Sequence, residues 1–170
     1  MSSSTAEAGA SERLTAAVVT VSDSCARGQR QDLSGPAVAA ALEKLQFNVV
    51  MQEVVSDDAT QIQELLIRLA QGVRFIVTTG GTGIAPRDVT PEATRSVCDL
   101  VIDGVSERMR SAGSKKTPFA ALSRGVCGVR GRTLILNLPG SPKGAIESLD
   151  AVAGLIPHAL NLLQGKTEHS

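Results

Sequence analysis

Arg74-Phe75-Ile76-Val77-Thr78-Thr79-Gly80-Gly81-Thr82-Gly83 is a short apolar run that empties without a break into a glycine-rich polar loop. An uninterrupted apolar run of this length suits a strand buried on both faces, and such strands belong to parallel sheets covered by helices. The same shape occurs at Ala16-Ala17-Val18-Val19-Thr20-Val21, which ends in Ser22-Asp23-Ser24, and at Thr133-Leu134-Ile135-Leu136-Asn137, which ends in Leu138-Pro139-Gly140-Ser141-Pro142. Phe47 to Val55 reads as an additional strand. Three polar loops thus follow three buried strands, and ligands of open α/β sheets bind outside the carboxyl ends of the strands.

Helical patterns fill the intervals. Ser34, as N-cap, with Pro36 opens a face of Val38, Leu42 and Leu45. Asp57 or Asp58 caps a helix carrying Ile62, Leu65, Leu66 and Leu69 at i, i+3, i+4 and i+7. Thr90-Pro91-Glu92 starts another, with proline in the first turn and an acid near the positive end of the dipole, and Val97, Leu100 and Val101 continue its apolar side. After a strand pair near 124–137, Ser141-Pro142 starts a last helix through Ile146, Leu149, Ala153, Ile156, Leu160 and Leu163, with any kink at Pro157 and its end at Gly165. The alternation predicts a three-layer α/β domain with a mostly parallel central sheet over residues 13–165, between a disordered tail at 1–12 and a short tail at 166–170.

Composition narrows the function. With 170 residues, 42% of them hydrophobic and 20% charged, the chain can bury a full core. It offers no apolar stretch long enough to span a membrane and no signal-peptide pattern, so the expected address is cytoplasmic, away from membranes. No Trp or Tyr and only three Phe leave little on which bases could stack, which argues against nucleic acid. Cys25, Cys98 and Cys127 lack metal-ligand spacing and read as reduced thiols. Seventeen basic and seventeen acidic residues cancel, but residues 104–146 hold eight of the basic residues and one acid, a local excess of +7. Together with the glycines, Ser123 and the 138–142 turn, this segment suits a small polyanionic ligand.

The loops permit a restricted chemistry. His169 lies in the tail, His158 follows Pro157 in an apolar helix, and no nucleophile elbow, Cys/His pair or HExxH helix occurs. Gly80 to Gly83 is neither a Walker A loop nor a dinucleotide fingerprint, yet Arg87-Asp88 and a helix start follow at once. Backbone amides and Arg87 can hold phosphate oxygens while Asp88 meets a magnesium ion directly or through water, and Asp57 can bring a second carboxylate to the same sheet edge.

The combined motifs Ser22-Asp23, Asp32-Leu33-Ser34-Gly35-Pro36, Thr78 to Gly83, Arg87-Asp88-Val89-Thr90-Pro91-Glu92-Ala93, Thr117-Pro118-Phe119-Ala120, Leu122-Ser123-Arg124 and Leu136-Asn137-Leu138-Pro139-Gly140-Ser141-Pro142 resemble the molybdopterin adenylyltransferase family. Its bacterial Mog-type members are similar to plant Cnx G and gephyrin G domains. The resemblance runs from Val18 to Gly165. It implies the molybdenum-cofactor-biosynthesis fold, a homotrimer, and magnesium-dependent transfer of AMP from ATP to the terminal phosphate of molybdopterin with release of pyrophosphate. It further implies handover to a molybdate-insertion protein. Carried over by position, Asp57 and Asp88 resemble the two acids of adenylyl transfer, and both would hold the magnesium. Gly80, Gly81, Thr82 and Gly83, with Arg87, resemble the nucleotide side. Ser123, Arg124, Asn137, Pro139, Gly140 and Ser141 resemble the molybdopterin side. Two positions depart from the family pattern: Asp103-Gly104 where Pro-Gly is common, and Gly113 where a serine is common. A binding or scaffold homologue with little transfer activity, or another enzyme of the fold such as a molybdate-insertion domain or nucleotide hydrolase, are the alternatives, and the presence of both Asp57 and Asp88 favours the transferase.

Overall fold

The computed structural model describes residues 13–166; the tail expected at 1–12, and residues 167–170 with His169, lie outside the described residues. Strands β1 (Thr15–Val21), β2 (Asn48–Val55), β3 (Phe75–Thr79), β4 (Leu100–Val101), β5 (Cys127–Arg130) and β6 (Thr133–Leu138) form one sheet in the order β2-β1-β3-β6-β5-β4. The first four strands in that order run parallel; at the edge β5 pairs antiparallel with β6, and β4 pairs antiparallel with β5. From β1 the chain moves outward to β2 and then returns to the other side of β1 for β3, so the topology switches direction between β1 and β3. The carboxyl ends of those strands frame the crevice where ligands bind in such sheets.

The period of two along each strand divides the core. A single-turn helix α1 (Asp23–Ala26) follows β1, and Ala16, Val18, Phe75, Val77, Leu134 and Leu136 face helices α2 (Ser34–Lys44), α5 (Asp103–Ser114), α6 (Pro142–Val152) and α7 (Ile156–Leu163). Ala17, Val19, Ile76 and Ile135 face α3 (Ala59–Ala70) and α4 (Thr90–Val97) on the opposite side. The four leucine and isoleucine positions read as one face of α3 are all buried, and fully burying each such side chain contributes about 1.5 to 3 kcal/mol. Two helical layers on a mostly parallel sheet are the predicted three-layer architecture.

Local departures have identifiable causes. Ser34 is the first residue of α2 and not its cap; Asp32 does the capping, its Oδ1 accepting from the Gly35 N–H at 3.0 Å while its Oδ2 accepts from the Thr20 hydroxyl at 2.7 Å. Asp58, not Asp57, caps α3, accepting from the Gln61 N–H at 2.9 Å. Helix α4 stops at Val97, and Leu100 and Val101 form β4 because they pair with Val129 and Gly128 of β5. The last helix breaks before Pro157, through a 3-10 turn at Ala153–Leu155, and resumes with Pro157 in the first turn of α7. Proline lacks the N–H that would bond the Ala153 carbonyl, and its ring crowds that oxygen, so the strain falls one turn earlier than the proline itself.

Candidate active site

Loops after β1, β2, β3 and β6 close around a cleft of about 580 Å³ that holds Asp23, Asp57, Gly80, Gly81, Arg87 and Asp88. Gly80 has φ +101° and Gly81 φ +68°, conformations that favour glycine. A Cβ on Gly80 would also collide with the Val21 carbonyl oxygen, and one on Gly81 with the Thr90 hydroxyl, 3.3 Å from Asp57 Oδ1. The turn is pinned from below, since the Thr90 hydroxyl donates to the Gly80 carbonyl at 3.0 Å and the Gly80 N–H donates to the Leu138 carbonyl at 3.1 Å.

The acids sit on a built frame. Asp57, freed from capping, accepts the Asp23 N–H at Oδ2, and Asp23 accepts the Asp57 N–H at Oδ1, both at 2.9 Å. Asp88 Oδ2 accepts the Ala85 N–H at 3.0 Å, while its own N–H donates to the Ala85 carbonyl at 2.9 Å. Arg87 approaches Asp23 Oδ2 at 3.7 Å and is largely exposed, available to an anion. Burial pushes the Asp57 carboxyl above its ordinary value; the charges of Asp23 and Asp88 add to this, against the hydrogen bond from the Asp23 backbone and the charge of Arg87. An excess of negative charge held around hard oxygen donors is chemistry that suits magnesium. Such an ion keeps several waters and takes one or two carboxylates plus substrate phosphates, so a closed protein cage is unnecessary. Among the described residues no cluster of three or more His, Cys, Asp or Glu forms such a cage.

A second cavity of about 230 Å³ lies next to the first, under α5 and the 3-10 turn Pro118–Leu122. Ser123, Asn137 and Pro139 line it, Gly140 lines the first cleft, and Ser141 borders both. The two spaces therefore meet at the Pro139-Gly140-Ser141 turn. Ser141 also caps α6, its hydroxyl accepting the Gly144 N–H at 3.1 Å.

Not every expected residue faces a cavity. Thr82 and Gly83 line neither; their carbonyls accept from the Arg124 N–H and from Arg124 Nε, each at 2.8 Å. Arg124 lines neither cavity, because its guanidinium is engaged with that loop and with Glu92. Desolvation would raise the Glu92 carboxyl, but the Arg124 hydrogen bond, its own backbone and nearby arginine charges hold it below its ordinary value. Both donors of the Asn137 amide are committed, and its oxygen already accepts one bond. Its nitrogen donates to the Thr78 and Thr94 hydroxyls at 3.0 and 2.9 Å, and its oxygen accepts the Val126 N–H at 3.1 Å. Of the eight basic residues between 104 and 146, only Arg110 lines the second cavity. Arg108 bonds the Ala151 carbonyl, Arg130 the Val97 carbonyl, and Lys116 and Lys143 lie near Glu147.

Three contributors were not assigned from sequence: Asp23, Arg110 and Ser106. Asp23 belongs to the Ser22-Asp23 motif, which by itself assigns it no role. Arg110 and Ser106 lie on α5, whose pattern of Val105 and Met109 amid polar residues is too sparse to announce a helix. Ser106 is only 4% exposed and lines the second cavity, and its hydroxyl has no hydrogen-bond partner among the described residues. An unpaired buried hydroxyl costs about 1 to 3 kcal/mol unless a ligand or water satisfies it. Both family departures fall on α5 as well. Asp103 sits in its first turn, where an acid suits the dipole, and Gly113 lies so near the 3-10 turn that an added Cβ would stand 2.8 Å from the Ala120 methyl. The three cysteines are free thiols, with burial raising Cys98 to about 11 and Cys127 to about 12.

Residues 17–158 match a family model described as a probable molybdopterin binding domain. The chain is 41% identical over 152 residues to a molybdopterin adenylyltransferase of Helicobacter pylori, covering 87% of this chain and 86% of that protein. It is 42% identical over 155 residues, 89% of its length, to the molybdenum cofactor synthesis protein cinnamon of Drosophila melanogaster, but spans only 26% of that longer protein. Among solved structures, the molybdopterin biosynthesis enzyme MoaB of Thermus thermophilus superposes with a TM-score of 0.85 at 53% identity, covering 90% of this chain and 98% of that one. With the fold, most of the chain and a curated relative in agreement, this protein is a member of the molybdenum-cofactor-biosynthesis family of probable molybdopterin binding domains.

Proposed function

We propose that the protein is a molybdopterin adenylyltransferase that moves AMP from ATP to the terminal phosphate of molybdopterin and releases pyrophosphate. The observation that carries this reading is the meeting of two unlike cavities at one turn. The first, rich in carboxylates and bounded by Gly80, Gly81 and Arg87, suits a triphosphate with its cation; the second, with Arg110, Ser123 and the unpaired Ser106 hydroxyl beside Met109 and Phe119, suits a polar heterocycle bearing a phosphate.

In this mechanism an oxygen of the molybdopterin phosphate attacks the α-phosphorus of ATP, and the bond from that phosphorus to the bridging oxygen breaks, so that pyrophosphate leaves with the electron pair. A phosphate monoester is already an anionic nucleophile, so the chain supplies alignment and charge neutralisation and needs no general base. Asp57 and Asp88 would hold magnesium, which when bound neutralises phosphate charge. Arg87 offers its exposed guanidinium to phosphate oxygens. Ser141, bordering both spaces, lies where the two phosphates must meet. Asn137 holds the floor of the second cavity through its bonds to β3, α4 and Val126, and Thr82 and Gly83 support the nucleotide loop from behind. Incubation with molybdopterin, ATP and magnesium should yield adenylylated pterin; tight pterin retention with no product would instead favour a binding or scaffold role.

The assignment of sides has its own test. Ser123→Ala or Arg110→Met should weaken molybdopterin more than ATP, by about 10-fold to 150-fold where a charge-assisted contact is lost. Equal losses for both ligands in titrations would contradict it.

The same reading takes residues 13–165 as one catalytic domain, acting in the cytoplasm and passing its product to a molybdate-insertion protein. No described helix is long and apolar enough to cross a membrane. It also takes the working form as a homotrimer, for which exposed Ile84, Phe119 and Leu122 offer apolar surface. Sedimentation equilibrium should give three times the chain mass, and a monomer at every concentration would contradict it.

A further inference from the structure

Arg124 occupies an unusual position for a basic residue in an anion-binding protein. Its Nε and Nη2, which share one edge of the planar guanidinium, donate to the carbonyls of Gly83 and Asp88, each at 2.8 Å. Those carbonyls are the two ends of the loop that carries Arg87. The opposite edge pairs through Nη1 with Glu92 on α4. The Arg124 N–H completes the attachment by donating to the Thr82 carbonyl at 2.8 Å. On its far side, the carbonyls of the flanking residues Ser123 and Gly125 both accept from Arg110 Nη1 at 3.4 Å, and Ser123, Gly125 and Arg110 all line the second cavity.

From this geometry we infer that Arg124 is a positioning residue: it clamps the 83–88 loop shut so that Asp88 and Arg87 are held at the nucleotide, and it ties that loop to the wall of the pterin cavity. The inference rests on the adenylyl-transfer reading for its kinetic consequences and on the contacts alone for its structural ones. A rigid fork is required because two carbonyls must be bridged at once. Lysine would keep the positive charge, but its three donors radiate from one nitrogen and cannot present two parallel N–H groups to both carbonyls at 2.8 Å. An anion ligand would show the reverse preference, since charge is what it supplies. Displacement of Asp88 by about 1 Å is enough to cost on the order of 100-fold in rate, because alignment is what the site contributes.

The test compares wild type with Arg124→Lys, Arg124→Met and Glu92→Gln. The saturating transfer rate should fall about 10-fold to 100-fold in both arginine variants, with lysine hardly better than methionine, and the KM for ATP should rise. The dissociation constant for molybdopterin should change less than about twofold, a shift too small to signal a lost charged contact. Glu92→Gln keeps the fork and should cost only a few-fold. Amide hydrogen exchange adds a reading that needs no turnover: exchange at Ala85 and Asp88 should accelerate in the arginine variants, while amides of β1 and β3 stay protected. If Arg124→Met fails to fold, Arg124→Lys against wild type carries the test, since it keeps the charge and should still lose rate and loop protection. Loss of pterin affinity by tenfold or more with an intact saturating rate, rescue by lysine, or unchanged exchange at Ala85 and Asp88 would each overturn the clamp. Should wild type itself make no adenylylated pterin, the functional reading falls, and the exchange measurement still decides the clamp.

Discussion

Asp57→Asn and Asp88→Asn should each reduce adenylyl transfer by about 100-fold to 1,000-fold, the range typical for removing one preorganised charge-stabilising group, while molybdopterin stays bound. An amide is a weaker partner than a carboxylate for a hard cation or for the water around it. Loss of helix capping cannot imitate the result, because Asp58 is the cap of α3. Pterin binding should persist, because its proposed anchors lie in the neighbouring cavity. The readout is favourable: with no Trp or Tyr in the chain, retained pterin dominates absorption and fluorescence. Near-normal rates on folded variants would remove both acids from the mechanism.

The Asp57 variant carries a second expectation of opposite sign. Its carboxyl titrates above the ordinary value in the folded protein, so the folded state binds that proton more tightly than the unfolded state does. Stability then falls as pH rises from the ordinary carboxylate range through the folded value, and ionised Asp57 is a liability of the free protein at neutral pH. Asp57→Asn should therefore raise the melting temperature of ligand-free protein at pH 7. The gain should vanish below about pH 3.9, where the carboxyl is protonated in both states. A lower melting temperature at pH 7 would count against the crowding of negative charge described for the cleft.

Asn137→Ala should be the most damaging single change to the fold of the site. It strips a buried amide from two threonine hydroxyls and from the Val126 N–H, and orphaned buried polar groups cost about 1 to 3 kcal/mol each before any relaxation or entry of water. A net loss of about 2 to 4 kcal/mol is expected, near the upper end for point mutants. Denaturant melts of the free protein measure it without substrate. A variant as stable as wild type but deficient in pterin binding would return Asn137 to a direct ligand role.

Strands β1, β3 and β6 were legible because sheet burial on both faces writes an unbroken apolar run, and the loops after them were legible because only small or acidic residues follow. α4 and β4 were not separable in the sequence: Leu100 and Val101 fit a helical face, and only pairing with β5 made them a strand. Asp57 and Asp58 are adjacent carboxylates of identical chemistry, so which one caps depends on a backbone turn. Arg124 and Asn137 show the same limit more sharply. Their residue types suit phosphate and pterin equally well as backbone carbonyls and threonine hydroxyls, and the choice lies in long-range contacts, with Gly83, Asp88 and Glu92 for one and Thr78 and Thr94 for the other. Ser106 carried no signal, because a serine on a weakly amphipathic helix reads as surface until a cavity is seen beneath it.

Following the α-phosphorus of ATP through a single turnover distinguishes adenylyl transfer from nucleotide hydrolysis. With ATP labelled at that atom, magnesium and molybdopterin, label should appear in the pterin product and unlabelled pyrophosphate in equal amounts, with neither formed when molybdopterin is omitted. Pyrophosphate release with the label left in free AMP, at the same rate with or without molybdopterin, would contradict it.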